Sequence, residues 1–194
     1  MKFSISACRW LATATLFTGL LITGGGARAS DAAQKDAPLA RGKYLVTVAG
    51  CNDCHTPWKV GAAGPEPDMS RMLSGHPADF DITAPATMPE GPWIVAAAPT
   101  NTAWSGPWGV SFTANLTPDE ETGLGKWTES IFIQTIRTGR HMGRGRPILP
   151  PMPIPMYKNF TDEDLKAIFT YLQSIPAIKN PVPEPLPPAT ATPQ

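Results

Sequence analysis

The chain has 194 residues with 16 basic and 16 acidic side chains, so its formal net charge is zero, and 42% of its residues are hydrophobic. This length suits one domain with room for an insertion. Nucleic-acid binding would call for a strongly basic face, and nothing in this charge balance indicates one.

Residues 1–29 have the pattern of a secretory signal peptide. Lys2 and Arg9 precede an apolar run over residues 10–22, and a small-x-small cleavage site at residues 27–29 stands before Ser30. As a permanent membrane anchor the run is short, and a glycine and three threonines interrupt it. We therefore predict cleavage and export without a membrane anchor. Cleavage removes three basic residues and no acidic one, which leaves 13 basic side chains against 16 acidic ones.

Residues 51–55 read Cys-Asn-Asp-Cys-His, which is the attachment pattern of a c-type haem. On one helical turn, positions i, i+3 and i+4 share a face. Cys51 and Cys54 can then form thioethers with the two vinyl groups of a porphyrin, and His55 can ligate the iron from the proximal side. The sequence therefore predicts one covalently attached haem c held by these three residues.

Three other interpretations of the cysteine pair remain open at this level. A thioredoxin-like redox motif would lie near a βαβ unit, which the surrounding sequence does not predict. A zinc site needs four ligands, and the only other cysteine, Cys8, lies in the predicted signal peptide. The third interpretation is a structural pair without chemistry.

The first predicted helix spans Leu39–Gly50 and leads directly into Cys51. Pro38 suits a first helical position because its missing N–H costs nothing there, and residues 30–38 are expected to be loose. Gly42 is unusual inside a helix, where glycine costs about 0.5–1 kcal/mol relative to alanine. Either another helix approaches closely at Gly42 or the first turn is frayed.

Residues 58–110 form a segment rich in proline and glycine in which no helical or alternating period persists. We predict a long loop-rich insertion whose strands, if any, are short. Four tryptophans in it need an apolar surface on which to be buried, and a haem plane would provide one; these are Trp58, Trp93, Trp104 and Trp108.

Two further helices have clear boundaries in the sequence. Thr128 is a suitable N-cap for a helix that ends at Gly139. Thr161 caps the last helix, which carries a broad apolar stripe and stops at Pro176. Residues 177–194 are rich in proline and are predicted to form an extended tail, so the main domain spans residues 30–176.

The ordered set of motifs resembles a known family. Three helices, a Cys-x-x-Cys-His after the first and a methionine loop over residues 147–157 before the last are similar to the class I cytochrome c fold, which is mainly α. The series Asn115–Asp119, Thr122–Trp127, Pro151-Met152-Pro153 and Thr161–Leu165 resembles the cytochrome c modules of bacterial membrane-bound alcohol, aldehyde and gluconate dehydrogenases.

The resemblance implies a single-haem electron carrier and not an enzyme. In such proteins haem attachment is completed outside the cytoplasm, so a periplasmic location is expected. The implied partners are a dehydrogenase-type electron donor and a respiratory acceptor. The resemblance also implies that Gly42 lies against an aromatic residue of the last helix, Phe169 or Tyr171.

The residues alone leave the sixth iron ligand open between Met152 and Met156. Pro153 and Pro155 are expected to keep the intervening chain extended, which would separate the two sulfurs by roughly 12 Å and prevent them from sharing the iron. The resemblance implies Met152, which stands at the family's Pro-Met-Pro position.

Other side chains could also donate to the iron. His76 is the main competing ligand, and Met142 and His141 are further candidates. His141 stands among arginines and is expected to be a solvated surface residue. The methionines of the 58–110 segment match no motif of the family; these are Met69, Met72 and Met88.

Two alternative functions come from other classes of protein. A haem-based gas sensor or haem enzyme would need an open or histidine-ligated distal position. A binding module would use the tryptophan-rich segment as its surface and the haem as a scaffold.

Overall fold

The computed structural model describes residues 26–88 and 90–188, with side chains from residue 36 onward. Five helices lie in this part of the chain: α1 Gly26–Val48, α2 Cys51–His55, α3 Glu129–Thr138, α4 Ile154–Tyr157 and α5 Asp162–Ser174. Most of the predicted signal peptide and the last six residues of the tail lie outside the described residues.

Two small antiparallel sheets lie between α2 and α3. The first pairs β1 (Trp58–Gly61) with β2 (Gly64–Pro67). The second has the order β3 (Ala96–Ala97), β4 (Ala103–Gly106) and β5 (Gly109–Phe112). The expectation that any strands in the 58–110 segment would be short is confirmed. The five helices make up roughly 34% of the described residues.

Helix α1 differs from the prediction at its start. It begins at Gly26, and Pro38 lies inside it, so the expectation of a loose 30–38 segment and a helix starting at Pro38 was wrong. Pro38 removes one intrahelical donor, but the residues before it are rich in alanine, the strongest helix former. No described helix is both long enough and apolar enough to cross a membrane.

Helices α1 and α5 approach each other closely at Gly42. A Cβ added to Gly42 would overlap the carbonyl oxygen of Ala167 and lie 2.8 Å from Cβ of Tyr171. Of the two aromatic residues that the resemblance implied, the structure therefore selects Tyr171. The close approach explains why glycine occupies an interior helical position.

The caps of α3 and α5 are those expected from the sequence. Thr128 accepts a hydrogen bond from the backbone N–H of Ile131, and Gly139 ends α3 with φ 66°. Thr161 accepts from the backbone N–H of Asp164. Both helices contribute to one hydrophobic core, whose buried members are Leu45, Val46, Leu73, Leu124, Phe132, Ile136, Ile154, Leu165, Ile168, Leu172 and Ile175.

The tryptophans of the 58–110 segment do not share one environment. Trp58, Trp104 and Trp108 are half-buried. Trp93 is 71% exposed, so the expectation that all four would be buried was wrong for this residue. It follows Gly91 and Pro92 in a stretch without strand or helix.

The tail has neither helix nor regular strand, as expected, but it is docked. Leu186 exchanges two backbone hydrogen bonds of 3.0 Å with Val110 at the edge of β5. Asn180 is buried against the 58–110 segment. The picture of a free extended tail therefore needs correction for residues 177–188, because their backbone and side-chain polar groups find partners on the sheet and the loops.

Candidate haem-binding site

His55 ends the single turn of α2 and is 7% exposed. Its Nδ1 lies 2.7 Å from the carbonyl oxygen of Ala114. A carbonyl only accepts, so Nδ1 carries the proton and donates it. Burial lowers the pKa of His55, against an opposing effect of the Ala114 bond. The ring is thus neutral, and no described residue hydrogen-bonds its Nε2, which leaves that lone pair available to a metal.

The two cysteines of α2 are half-buried and form no disulfide. Burial raises the pKa of Cys51 to about 11, and burial followed by the neighbouring Asp53 raises the pKa of Cys54. Both thiols are therefore protonated at neutral pH. Dithiol redox motifs instead have depressed thiol pKa values, so the raised pKa values disfavour the thioredoxin-like interpretation.

The sheet topology argues further against the thioredoxin-like interpretation, and the absence of a ligand group in the described residues argues against zinc. The described strands pair only antiparallel, which is not the arrangement of a βαβ unit. Within residues 26–88 and 90–188, no three His, Cys, Asp or Glu side chains are grouped to hold a metal ion. A zinc site at Cys51 and Cys54 would lack ligands in this part of the chain.

The methionines differ sharply in burial. Met152 is half-buried and packs against the hydrophobic core, whereas Met156 is 71% exposed and Met142 is 43% exposed. Met72 matches no motif of the family, yet it also is partly buried and packs against the same core. The structure therefore favours Met152 over Met156 and introduces Met72 as a competitor.

The expectation that Pro153 and Pro155 keep the chain extended was wrong. Residues 154–157 form the single turn of α4, with Pro155 as its second residue and Met156 as its third. A proline is tolerated there because first-turn N–H groups have no intrahelical partner. What separates Met152 from Met156 is their position: Met152 precedes the helix on the core side, and Met156 lies on its exposed face.

The two competing histidines, His76 and His141, both make other contacts in the structure. His76 is fully buried, with its Nδ1 2.9 Å from Thr102 Oγ1 and its Nε2 2.9 Å from the carbonyl oxygen of Phe80. Both ring nitrogens are engaged, so His76 has no lone pair free for iron in this arrangement. His141 is exposed and contacts the edge of Trp127, with ring centroids 5.5 Å apart.

Two hydrogen bonds connect the methionine loop to the rest of the site. The Tyr157 hydroxyl donates to the carbonyl of Ala49, two residues before Cys51. Burial first, and then the neighbouring Cys51, Cys54 and Asp53, raises the pKa of Tyr157 to about 12. Ser111 Oγ donates to the carbonyl of Pro150 at 2.6 Å. The methionine loop is thereby joined to the turn between α1 and α2 and to β5.

Unpaired buried donors provide a test of whether a haem fits. Among the described residues, the indole nitrogens of Trp58, Trp104 and Trp108 are buried without a hydrogen-bond partner. Trp104 pairs with Ser111 across β4 and β5, so the two side chains share the sheet face that meets the Pro150 loop. Buried N–H groups normally have acceptors. The propionate carboxylates of a haem c are suitable acceptors for the indole of Trp104, which lies on the sheet face that meets the loop of Met152, so this residue fits the group.

Two contributors to this site, Ala114 and Tyr157, were not predicted from the sequence, and Met72 was not expected to compete with Met152. Ala114 acts through its backbone carbonyl, which is common to all residue types, so its role could not be predicted from the sequence. Tyr157 could have been suspected, because it lies in the methionine loop and a buried tyrosine usually finds a partner for its hydroxyl.

Comparisons with known proteins agree with this chemistry. No protein-family model matches the chain. It is 33% identical over 147 residues to a subunit of nicotinate dehydrogenase from Pseudomonas putida, covering 76% of this chain and 9% of that protein. It is 27% identical over 171 residues to the fructose dehydrogenase cytochrome subunit of Gluconobacter japonicus, covering 86% and 28%.

A third relative is the cytochrome c subunit of the quinone alcohol dehydrogenase of Gluconobacter oxydans, 25% identical over 154 residues, covering 78% of this chain and 24% of that protein. The chain thus spans between 9% and 28% of the length of these three relatives. The resemblance inferred from the motifs is confirmed: over most of its length, this chain is similar to cytochrome c subunits of bacterial dehydrogenases.

Proposed function

We propose that this protein is a periplasmic one-electron carrier of the class I cytochrome c fold, with residues 58–110 as an insertion. One haem c is attached through Cys51 and Cys54, and its iron is ligated by His55 and Met152. The carrier takes electrons from a dehydrogenase-type donor and passes them to a respiratory acceptor. It is not itself an enzyme.

The observation that carries the proposal is the state of His55. A buried neutral imidazole donates through Nδ1 to a backbone carbonyl and leaves Nε2 without a partner among the described residues. A metal-ligating histidine typically makes this second hydrogen bond. His55 directly follows a protonated thiol, Cys54, and Cys51 lies one helical turn earlier, as thioether attachment requires.

The side chains around the site support electron transfer in preference to bond chemistry. A bound haem c would supply a one-electron iron couple. Met152 and the surrounding core would keep the distal side filled and exclude water, and a His/Met pair raises the reduction potential. Substrate chemistry on iron would instead need an open position, which ligation by Met152 would close.

The relatives support the choice of partner. Fructose, quinone alcohol and gluconate 2-dehydrogenases each include a relative named as a cytochrome subunit. A donor of that class therefore suits this chain. Export of the chain follows from the predicted signal at residues 1–29 and from the requirement that haem c be attached outside the cytoplasm.

Optical spectra of the purified full chain in both redox states test the proposal. A low-spin spectrum in both states, a far-red charge-transfer band in the ferric state and haem that stays with the denatured polypeptide are expected. Carbon monoxide should bind the reduced protein slowly or incompletely. Rapid, complete carbon monoxide binding would instead establish a gas sensor or haem enzyme, and a protein isolated without haem would overturn the proposal.

A further inference from the structure

One buried side chain in the tail is bonded to a loop of the 58–110 segment. Asn180 is 3% exposed. Its amide nitrogen donates to the carbonyls of Ser74 at 2.7 Å and His76 at 2.8 Å, and its amide oxygen accepts from the N–H of Ala78 at 3.0 Å. All three hydrogen bonds of the Asn180 side chain are therefore made to residues 74–78, which we term the 74–78 loop.

The 74–78 loop packs directly against the backbone carbonyl group of Ala114, which accepts the hydrogen bond from His55. Gly75 donates its N–H to the carbonyl of His55 at 2.8 Å, and His76 donates its N–H to the carbonyl of Thr113 at 2.9 Å. A Cβ at Gly75 would lie 2.6 Å from the carbonyl carbon of Ala114 and 2.7 Å from its oxygen. Gly75 has φ +78°, a conformation that glycine adopts without strain.

The tail also holds the other side of Ala114. Asn115 is buried, and its amide nitrogen donates to the carbonyl of Ile178 at 2.7 Å. The N–H of Ile178 in turn donates to Thr117 Oγ1 at 3.0 Å. The Ala114 side chain is exposed, so its own packing does little to set the direction of its carbonyl. That direction is set by the 74–78 loop on one side and by Asn115 on the other.

The geometry points to Asn180 as a positioning residue for the His55 imidazole: through the 74–78 loop it fixes the Ala114 carbonyl that accepts from His55 Nδ1. This inference rests on the proposed function, since it assigns His55 to iron. Asn180 touches neither the iron nor the porphyrin in this role. It acts by holding an acceptor in place.

The expected consequence is electronic as well as structural. A strong hydrogen bond from Nδ1 increases the basicity of a ligating histidine and stabilises the oxidised metal. When the Ala114 carbonyl is free to move, that bond weakens and the histidine becomes a poorer electron donor. Loss of the Asn180 bonds should therefore shift the reduction potential upward, because the ferric state loses stabilisation.

The test compares haem-loaded full chains carrying Asn180→Ala, Asn180→Leu or Lys179→Gln. Asn180→Ala removes all three bonds together with most of the side chain, and Asn180→Leu removes the same bonds while keeping a similar volume and adding no charge. Lys179→Gln removes only an exposed ion pair with Glu121 in the same segment. The measurements are the reduction potential and the rate at which the His55 Nδ1 proton exchanges with solvent in the ferrous protein, followed by proton NMR.

Both Asn180 variants should show a higher potential and exchange of the Nδ1 proton on the order of tenfold faster, as the loss of supporting hydrogen bonds would produce. Lys179→Gln should leave the exchange rate unchanged. A lower melting temperature with unchanged potential and exchange would overturn the inference and leave Asn180 a purely structural role.

Two other outcomes are also decisive. If neither Asn180 variant accumulates with haem while Lys179→Gln does, Asn180 serves folding and the positioning role is rejected. If the wild-type chain itself lacks covalent haem, the proposed function fails together with this inference. Haem-loaded wild type with insensitive Asn180 variants rejects the inference alone, so the two failures are distinguishable.

Discussion

The hydroxyl of Tyr157 donates a hydrogen bond to the backbone carbonyl of Ala49, which lies 108 residues earlier in the chain. This contact joins α4, directly after the loop of Met152, to the residues that lead into Cys51. The two halves of the proposed iron site, distant in sequence, are therefore anchored to each other by the protein.

Met152→Ala should abolish the far-red charge-transfer band of the ferric protein, lower its reduction potential and allow rapid carbon monoxide binding, because the iron loses its thioether ligand. Optical spectroscopy and redox titration measure these changes. Met72→Leu and Met156→Ala are the controls. If Met72→Leu produced these changes and Met152→Ala did not, the sixth ligand would be Met72.

Replacement of both cysteines by serine, Cys51→Ser with Cys54→Ser, should remove covalent haem and prevent accumulation of folded protein. The haem is expected to fill part of the core to which Cys51 contributes, and its loss would leave a cavity. Immunoblotting and haem staining of exported fractions check this. Normal yields of a folded haem-free variant would contradict the expectation.

Gly42→Val should destabilise the protein by about 1–3 kcal/mol, the usual cost of overpacking, because a side chain there overlaps the Ala167 carbonyl in α5. Denaturant unfolding of the haem-loaded protein measures the change. Lys43→Ala, on the exposed side of the same helix, should change the free energy of unfolding by no more than about 0.5 kcal/mol. Equal effects of the two substitutions would place Gly42 outside the α1–α5 contact.

The pH dependence of stability should contain a contribution from His76. Burial is the main cause of its lowered pKa, with the nearby Arg71 acting in the same direction, while the bond to Phe80 and the charge of Asp79 oppose it. The unfolded state therefore binds the proton more readily than the folded state. This contribution to stability is present above the unfolded pKa of about 6.5 and is lost as pH falls below it.

Denaturant unfolding between about pH 5 and pH 7.5, above the range where ordinary carboxylates titrate, covers the range in which histidines contribute to the pH dependence. His76→Gln retains hydrogen-bonding groups but cannot titrate, so its stability should depend less steeply on pH than that of the wild type. His141→Gln controls for the exposed histidine, whose pKa is also lowered, first by burial. An identical slope for His76→Gln and the wild type would contradict the assignment.

Several features could be predicted from the sequence because their causes are local. The caps at Thr128 and Thr161 depend on a side chain bonding an N–H three residues away. The spacing of Cys51, Cys54 and His55 is likewise settled within one helical turn. Gly42 could be linked to the last helix only through the family resemblance, and the structure then chose Tyr171 over Phe169.

The sequence by itself determined the chemistry available to this protein: two thiols, an imidazole and several methionine thioethers. It also determined the boundaries of α3 and α5. Tertiary structure decided which groups are brought together. It placed Met152 and Met72 against the core, left Met156 in solvent, and engaged both nitrogens of His76. Burial depends on neighbours from remote segments, which local sequence patterns do not specify.

The support of His55 was decided entirely by the tertiary structure. Its acceptor is a backbone carbonyl 59 residues away, and the side chain that secures the adjoining loop, Asn180, lies 106 residues from Ser74. Every residue has a backbone carbonyl, so the sequence does not indicate which carbonyl will accept the hydrogen bond from His55. The residue type determines whether a side chain can act as a ligand. The orientation of that ligand depends on long-range contacts that form only when the chain has folded.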